Sequence, residues 1–148
     1  MPIRNQIETI TRSLTAEPAF LYGTQKELNL LADDQTFPCV FMHPLQNIVV
    51  NPCNNGSVDN TFTLYLEFLY QTEFDQYTAD NEIYVNQALR MANEFLVKAT
   101  TYREGEGRYF KIKHGEKARC VPVYNKYDVN TTGVGLTLTL NTMYFEVY

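Results

Sequence analysis

Cysteine and histidine are the first candidates for chemistry in this 148-residue chain, because their side chains bind metals and act as nucleophiles or bases. The chain has three cysteines and two histidines: Cys39, Cys53, Cys120, His43 and His114. Cys39 and His43 lie four residues apart on a predicted strand, where ~3.3 Å per residue separates them by about 13 Å. No pair has the CxxC or HxxxH spacing of a zinc site. We therefore predict free thiols and neither a metal nor a cofactor.

Other catalytic patterns are equally weak in this sequence. The only serines, Ser13 and Ser57, do not lie in a nucleophile-elbow sequence. Two lone pairs of glycines, at 105 and 107 and at 133 and 135, fall short of a phosphate-binding loop. The carboxylates are scattered and show no pair spaced for acid–base work. The sequence predicts a protein that is not an enzyme.

One long amphipathic helix is the clearest element, over Asp80–Thr100. Asp80 is its predicted N-cap, and Asn81 falls among the residues expected to face water. Apolar side chains recur every three or four residues and form one face, which indicates packing on a sheet. The members of this face are Tyr84, Ala88, Met91, Ala92, Phe95, Leu96 and Ala99.

Strand patterns flank this helix on both sides. In Thr61–Phe74, large apolar residues alternate with polar ones, so that Phe62, Leu64, Leu66, Phe68 and Tyr70 share the face predicted to meet the helix. We also predict a helix over Ile3–Leu14 and strands over Phe37–Leu45 and Val134–Leu140. Gln46–Asn60 is predicted as a long turn and Tyr109–Tyr127 as a β-hairpin. We predict one α+β domain over residues 1–148, with a mostly antiparallel sheet, one long helix on a face and a short N-terminal helix.

Charge is unevenly distributed along the chain. The formal net charge is −5, from 12 bases and 17 acids, which disfavours tight binding to nucleic acid. The segment from residue 103 to residue 119 holds six bases and three acids, whereas the remainder holds six bases and fourteen acids. A basic segment on an acidic body suits a head-to-tail contact between identical subunits.

Three groups of residues are candidates for such a subunit interface. The first is basic, the second surrounds the start of the long helix and is acidic, and the third is the apolar C-terminal stretch. They are Arg108, Lys111, Lys113, Lys117 and Arg119; Glu73, Asp75, Asp80 and Glu82; and Tyr144, Phe145 and Tyr148. The eleven tyrosines and nine phenylalanines of the chain also favour protein interfaces, where aromatic side chains are enriched.

The order of the predicted elements resembles that of tail terminators and related neck or tail-completion proteins of long-tailed bacteriophages. The resemblance follows Ile3–Leu14, Phe37–Leu45, Thr61–Phe74, the helix from Asp80, the basic hairpin Tyr109–Tyr127 and the closing sequence YDVNTTGVGLTL at 127–138. It leaves Gln46–Asn60 without a counterpart. It implies a non-enzymatic virion protein that forms a ring, as a tail terminator or a head–tail connector component. The implied partners are a hexamer or dodecamer of itself, adjoining neck and tail proteins, and DNA that passes through without specific binding.

Two other classes of function fit the same residues. One is an enzyme or accessory domain that binds a small molecule, which a well-formed polar pocket would favour. The other is a DNA-binding module that uses the basic hairpin 108–119, which steep salt-dependent binding to DNA would favour. No apolar run approaches the length of a membrane span, so we expect no membrane partner. The resemblance to phage neck and tail proteins implies that the protein resides in the virion after synthesis in the host cytoplasm.

Overall fold

The structure is a computed structural model that describes residues 2–56, 58–102, 111–112 and 117–142. Its described residues form three helices and seven strands, with a short 3-10 turn after the second helix. In chain order they are α1 (Ile3–Arg12), β1 (Ala19–Tyr22), α2 (Gln25–Leu31), β2 (Cys39–Met42), β3 (Gln46–Pro52), β4 (Val58–Gln71), α3 (Thr78–Thr101), β5 (Lys111–Ile112), β6 (Arg119–Lys126) and β7 (Thr131–Thr142).

All seven strands belong to one sheet built around β4 and β7. These two strands pair antiparallel over twelve residues, from Asn60 opposite Thr142 to Gln71 opposite Thr131. On its other edge β4 pairs with β3 and then β2, and β1 adds to β2 as the one parallel pair. On its other edge β7 pairs with β5 and β6. The predicted class, a mixed α and β domain with a mostly antiparallel sheet, is confirmed.

The main core lies between one face of the sheet and the helices α1 and α3. The predicted row Phe62, Leu64, Leu66 and Phe68 is buried there, as is Phe95 of α3. The rings of Phe68 and Phe95 meet edge to face with centroids 5.9 Å apart. The predicted pairing of the helix stripe with the alternating strand is therefore correct.

The other face of the sheet carries a smaller apolar cluster. Leu28 of α2 and Ala32 pack there against Cys39, Phe41 and Leu69, and all five are buried. The segment around α2, whose sequence is ambiguous between strand and helix, folds as a helix that caps this second face.

The start of the long helix differs from the prediction. α3 begins at Thr78 with Tyr77 as N-cap, and Asp80 lies in the first turn, where its Oδ2 accepts a hydrogen bond from the Tyr77 backbone N–H at 3.3 Å. Asn81, predicted to face water, is fully buried, and its Nδ2 donates to Asn125 Oδ1 at 3.3 Å. Tertiary packing against β6 thus decides the environment of a residue whose type indicated a solvent position.

Two predicted connections also differ. The stretch predicted as a long turn, Gln46–Asn60, is a two-stranded arm in which β3 pairs with the first part of β4. The predicted hairpin Tyr109–Tyr127 is wrong in its described parts, because β5 and β6 each pair antiparallel with β7 and so run in the same direction. Both lie on the same edge of β7. Ile112 and Arg119 are seven residue steps apart, whereas their partners Leu140 and Thr137 are three steps apart, so the connection has four extra residues.

The central strand pair gives the domain two distinct ends. At the loop end, Gln71 of β4 leads through residues 72–77 into α3, next to Thr131. At the arm end, the β3–β4 arm leaves the body and β5 pairs with Asn141. Thr131 and Asn141 are ten residue steps apart on β7, which is about 33 Å at ~3.3 Å per step, so these ends are far apart.

Candidate subunit interface

The four acidic candidates gather at the loop end. Glu73 and Asp75 lie in the connection between β4 and α3, and Asp80 and Glu82 lie at the start of α3; all four side chains are exposed. We call them the acidic patch. In the part of the chain that the structure describes, none of them forms a salt bridge. Their negative charge is therefore available to a partner.

Two aromatic side chains stand among these acids, which the sequence alone did not single out. Phe74 is 72% exposed and Tyr77 is 80% exposed, the two most exposed large apolar side chains in the described residues. An exposed aromatic pair with an acidic rim has the anatomy of a protein contact, in which apolar anchors are surrounded by polar groups.

The loop that carries this pair is internally braced. The Gln76 Oε1 accepts the Glu73 backbone N–H at 3.0 Å, and the Gln76 N–H donates to the Glu73 carbonyl at 3.3 Å. At the base of the loop, buried Thr72 exchanges hydrogen bonds with buried Asn130, including Nδ2 to the Thr72 carbonyl at 3.1 Å. A loop held in this way loses little conformational entropy when a partner binds.

The basic candidates lie away from the loop end. Lys111 is in β5 at the arm end, opposite Asn141, and Lys117 and Arg119 are exposed beside β6, with Arg119 opposite Thr137. The remaining interface candidates fall outside the described residues: Arg108, Lys113, Tyr144, Phe145 and Tyr148. We call residues 103–119 the basic segment, as defined by its sequence.

The described residues of the basic segment lie far from the acidic patch of their own subunit. Lys111 pairs with Asn141, and Arg119 pairs with Thr137. These partners are ten and six residue steps along β7 from Thr131 at the loop end, or about 33 Å and about 20 Å at ~3.3 Å per step. These two bases therefore stay apart from the four acids of the same subunit.

The β3–β4 arm offers a second exposed surface at the arm end. Every residue of β3 is exposed, and Ile48, Val49 and Val50 are 50%, 48% and 58% exposed. Among the described strands β3 pairs only with β4, so its outer edge carries unpaired backbone groups. An apolar strand edge of this kind is a template for pairing with another chain.

A buried polar cluster on the second face of the sheet was missed by the sequence analysis. Glu67 of β4 is fully buried, and its carboxylate accepts hydrogen bonds from His43 Nε2 at 2.5 Å, from Lys126 Nζ at 2.9 Å and from the Tyr127 hydroxyl. The Tyr65 ring stacks on His43 with centroids 4.8 Å apart. The three donors are the residue that follows β2, the last residue of β6 and the first residue of the turn after β6, so the cluster ties three strands together.

The electrostatics of this cluster keep Glu67 charged. Burial by itself raises the pKa of the Glu67 carboxyl, but the hydrogen bonds from His43, Tyr127 and Lys126 outweigh it and bring the pKa below its ordinary value. Burial and the nearby carboxylate raise the pKa of Tyr65 to about 12, and burial with the hydrogen bond to Glu67 raises the pKa of Tyr127. Both tyrosines therefore stay protonated, and we interpret the cluster as a satisfied structural network.

A single signal pointed toward this cluster. Glu67 lies on the face of β4 opposite its buried apolar row, and its cross-strand partner is Gly135. A Cβ at Gly135 would lie 2.5 Å from the Tyr65 hydroxyl oxygen, so the glycine leaves room for that ring. A glycine paired with a glutamate on the neighbouring strand indicates room for a buried polar cluster. The sequence alone, however, does not show which residues of the two strands are paired.

The thiols and a surface depression complete the candidates for chemistry. Cys39 is buried, which raises its pKa to about 12, while Cys53 is exposed and Cys120 is half-buried, and all three are free. In the described part of the chain no three His, Cys, Asp or Glu side chains converge for a metal, and His114 lies outside it. An open depression of about 570 Å³ is lined by Gln25, Lys26, Asn29, Tyr127 and Asp128.

Two of the polar residues that line this depression are bound to each other. Asn29 donates to the Asp128 carboxylate at 2.8 Å and accepts the Asp128 backbone N–H at 2.9 Å. These two residues therefore have fewer free groups with which to orient a substrate.

No protein-family model matches this chain, and no curated protein matches its sequence significantly. Of the helices in the described ranges, none combines the length and the apolar character that crossing a membrane requires.

Proposed function

We propose that this protein is a non-enzymatic structural subunit of the neck or tail of a long-tailed bacteriophage. Its subunits join head to tail into a closed ring through which DNA passes, in the role of a tail terminator or a head–tail connector component. The proposal joins the resemblance in element order to one observation, the distance along the sheet between the four acids at the loop end and the described bases Lys111 and Arg119.

This separation of charge favours a repeating contact. The acidic patch at the loop end and the described bases Lys111 and Arg119 are too far apart to neutralise each other within one subunit. Each subunit can therefore present its acidic patch to the neighbour on one side and its basic residues to the neighbour on the other side. Such contacts close into rings when the rotation between subunits allows, and otherwise run on as filaments.

The exposed arm and the net charge support the same role. The unpaired edge of β3 with its aliphatic side chains gives the subunit further surface for neighbours, either copies of itself or adjoining neck and tail proteins. The acidic balance of the chain outside the basic segment suits a wall that DNA slides past without binding.

Imaging and sedimentation of the purified protein test the proposal. We expect rings of one size by negative-stain electron microscopy, with a matching mass in sedimentation. The Lys111→Glu/Lys113→Glu variant should assemble less well, and the loss should be greatest at low salt, where repulsion is unscreened. The matched control is Lys26→Glu/Arg90→Glu, which makes the same change in net charge on two exposed residues outside the basic segment.

Two results would contradict the proposal. The first is a protein that stays monomeric at high concentration, alone or mixed with neck and tail proteins. The second is retention on DNA that falls steeply with salt and is lost in the Lys111→Glu/Lys113→Glu variant, since that would favour a DNA-binding module.

A further inference from the structure

The geometry points to Phe74 and Tyr77 as the centre of the surface that receives the next subunit, and we infer that their occupant is the basic segment of a second copy. This inference rests on the proposed function and specifies its contact. It assigns the binding to an aromatic pair that no charge pattern revealed.

The first argument is the exposure of these two side chains. Phe74 is 72% exposed and Tyr77 is 80% exposed, so the two side chains leave a large apolar area in water. Their loop is braced by the hydrogen bond between the Glu73 N–H and Gln76 Oε1. Aromatic residues presented on a rigid loop are favourable anchors, because they bury much area and lose little entropy.

The second argument is charge complementarity. From Gln71 to Tyr84 the chain carries four acids, namely Glu73, Asp75, Asp80 and Glu82, and no lysine or arginine. Lys126, which lies near the same end opposite Thr131, is already bound to Glu67. A partner for this surface must therefore combine positive charge with apolar side chains.

The third argument identifies that partner within the chain itself. The basic segment has six bases and three acids and includes Tyr109, Phe110 and Ile112. Because its described bases Lys111 and Arg119 lie about 33 Å and about 20 Å along β7 from the loop end, their charge is offered to the patch of another copy. The contact is then heterologous: each subunit gives its basic segment to one neighbour and its aromatic pair to the other.

A complementation experiment tests this pairing directly. One variant, Lys111→Glu/Lys113→Glu, has a disabled basic segment and an intact aromatic pair; the other, Phe74→Ser/Tyr77→Ser, has the reverse. Each alone should be monomeric at concentrations where the wild-type protein assembles, with the contact weakened at least ~30-fold, as for loss of a central anchor. Mixed together, they should form a 1:1 heterodimer that grows no further, because only its two disabled surfaces remain free.

Controls and contrary outcomes separate this inference from the proposed function. Leu30→Ser/Val97→Ser removes two other exposed apolar side chains, which are 70% and 67% exposed, and should assemble normally. Circular dichroism confirms that each variant is folded. If Phe74→Ser/Tyr77→Ser still forms rings, the pair serves a different protein and this inference is overturned, while the ring proposal stands. A mixture that remains monomeric also overturns it.

The wild-type protein gives the remaining outcomes. Complementation together with open filaments would support the aromatic contact and contradict the ring. A wild-type protein that is monomeric, or that forms a two-fold symmetric dimer, would overturn both.

Discussion

Removal of the Glu67 carboxylate is expected to destabilise the fold far more than removal of a comparable surface carboxylate. Glu67 is fully buried and accepts hydrogen bonds from His43, Lys126 and Tyr127. Glu67→Ala leaves the half-buried Lys126 ammonium and two further donors without their acceptor. Breaking a buried ion pair from one side costs about 3–5 kcal/mol, and because losses within one network are not additive we expect a total of about 4 kcal/mol.

Glu94 provides the matched control. Its carboxylate also has three donors, from the Thr15 N–H and hydroxyl at 2.9 Å each and from Lys98 at 3.4 Å, but it lies at the surface. Glu94→Ala should therefore cost no more than about 1 kcal/mol. Urea unfolding followed by circular dichroism measures both changes at neutral pH. Equal losses for the two variants would refute the structural role of the buried cluster.

The pH dependence of unfolding gives a second test of the same network. Because the pKa of Glu67 is lower in the folded protein than its ordinary value of 4.5, the unfolded chain takes up the proton first as the pH falls. The stability from this group is present above about pH 4.5 and is lost as the pH falls through the folded pKa. A Glu67→Gln variant should show a shallower loss over this acid range, and an unchanged slope would argue against the assignment.

Two further predictions concern the central strands and the helix packed on them. Phe95→Ala should cost about 3–5 kcal/mol in urea unfolding, since its fully buried ring meets Phe68; an unchanged midpoint would mean that α3 packs through another face. Gly133→Ala should prevent stable folding, because its Cβ would lie 1.8 Å from the Phe68 carbonyl oxygen, a backbone atom within the β4–β7 pair. Gly56→Ala, which meets no atom within 4 Å but has a φ of +81°, should cost only about 1 kcal/mol, and similar losses for the two glycines would contradict this explanation.

Local patterns predicted the elements whose periodicity was undisturbed. The alternation in Thr61–Phe74 and the apolar stripe around Phe95 gave the correct faces, because such periods arise when one face of an element is buried. The helix began two residues earlier than predicted, since Asp80 accepts the Tyr77 N–H from the first turn and Tyr77 has the N-cap position. Asn81 was misplaced because its partner, Asn125, lies 44 residues away.

Long-range pairing accounts for what the sequence did not predict. Tyr109–Tyr127 has the alternation of a hairpin, but β7 takes both of its described strands on one edge, and no local turn signal records that competition. The four acids were predicted as interface candidates and are all exposed. The aromatic pair between them went unnoticed, because exposure of Phe74 and Tyr77 depends on the path of the loop.

The β4–β7 pair also has consequences for the order in which this protein acquires its structure. Leu66 and Leu136 face each other in the sheet although 70 residues separate them along the chain, whereas β2 and β3 pair with β4 over short distances. Local pairing can form early, but closure across so long a separation is slow. Until β7 arrives, the second edge of β4 and its row of Phe62, Leu64, Leu66 and Phe68 have no strand beside them. A chain interrupted before residue 131 would therefore carry an open, apolar strand edge and be prone to aggregate.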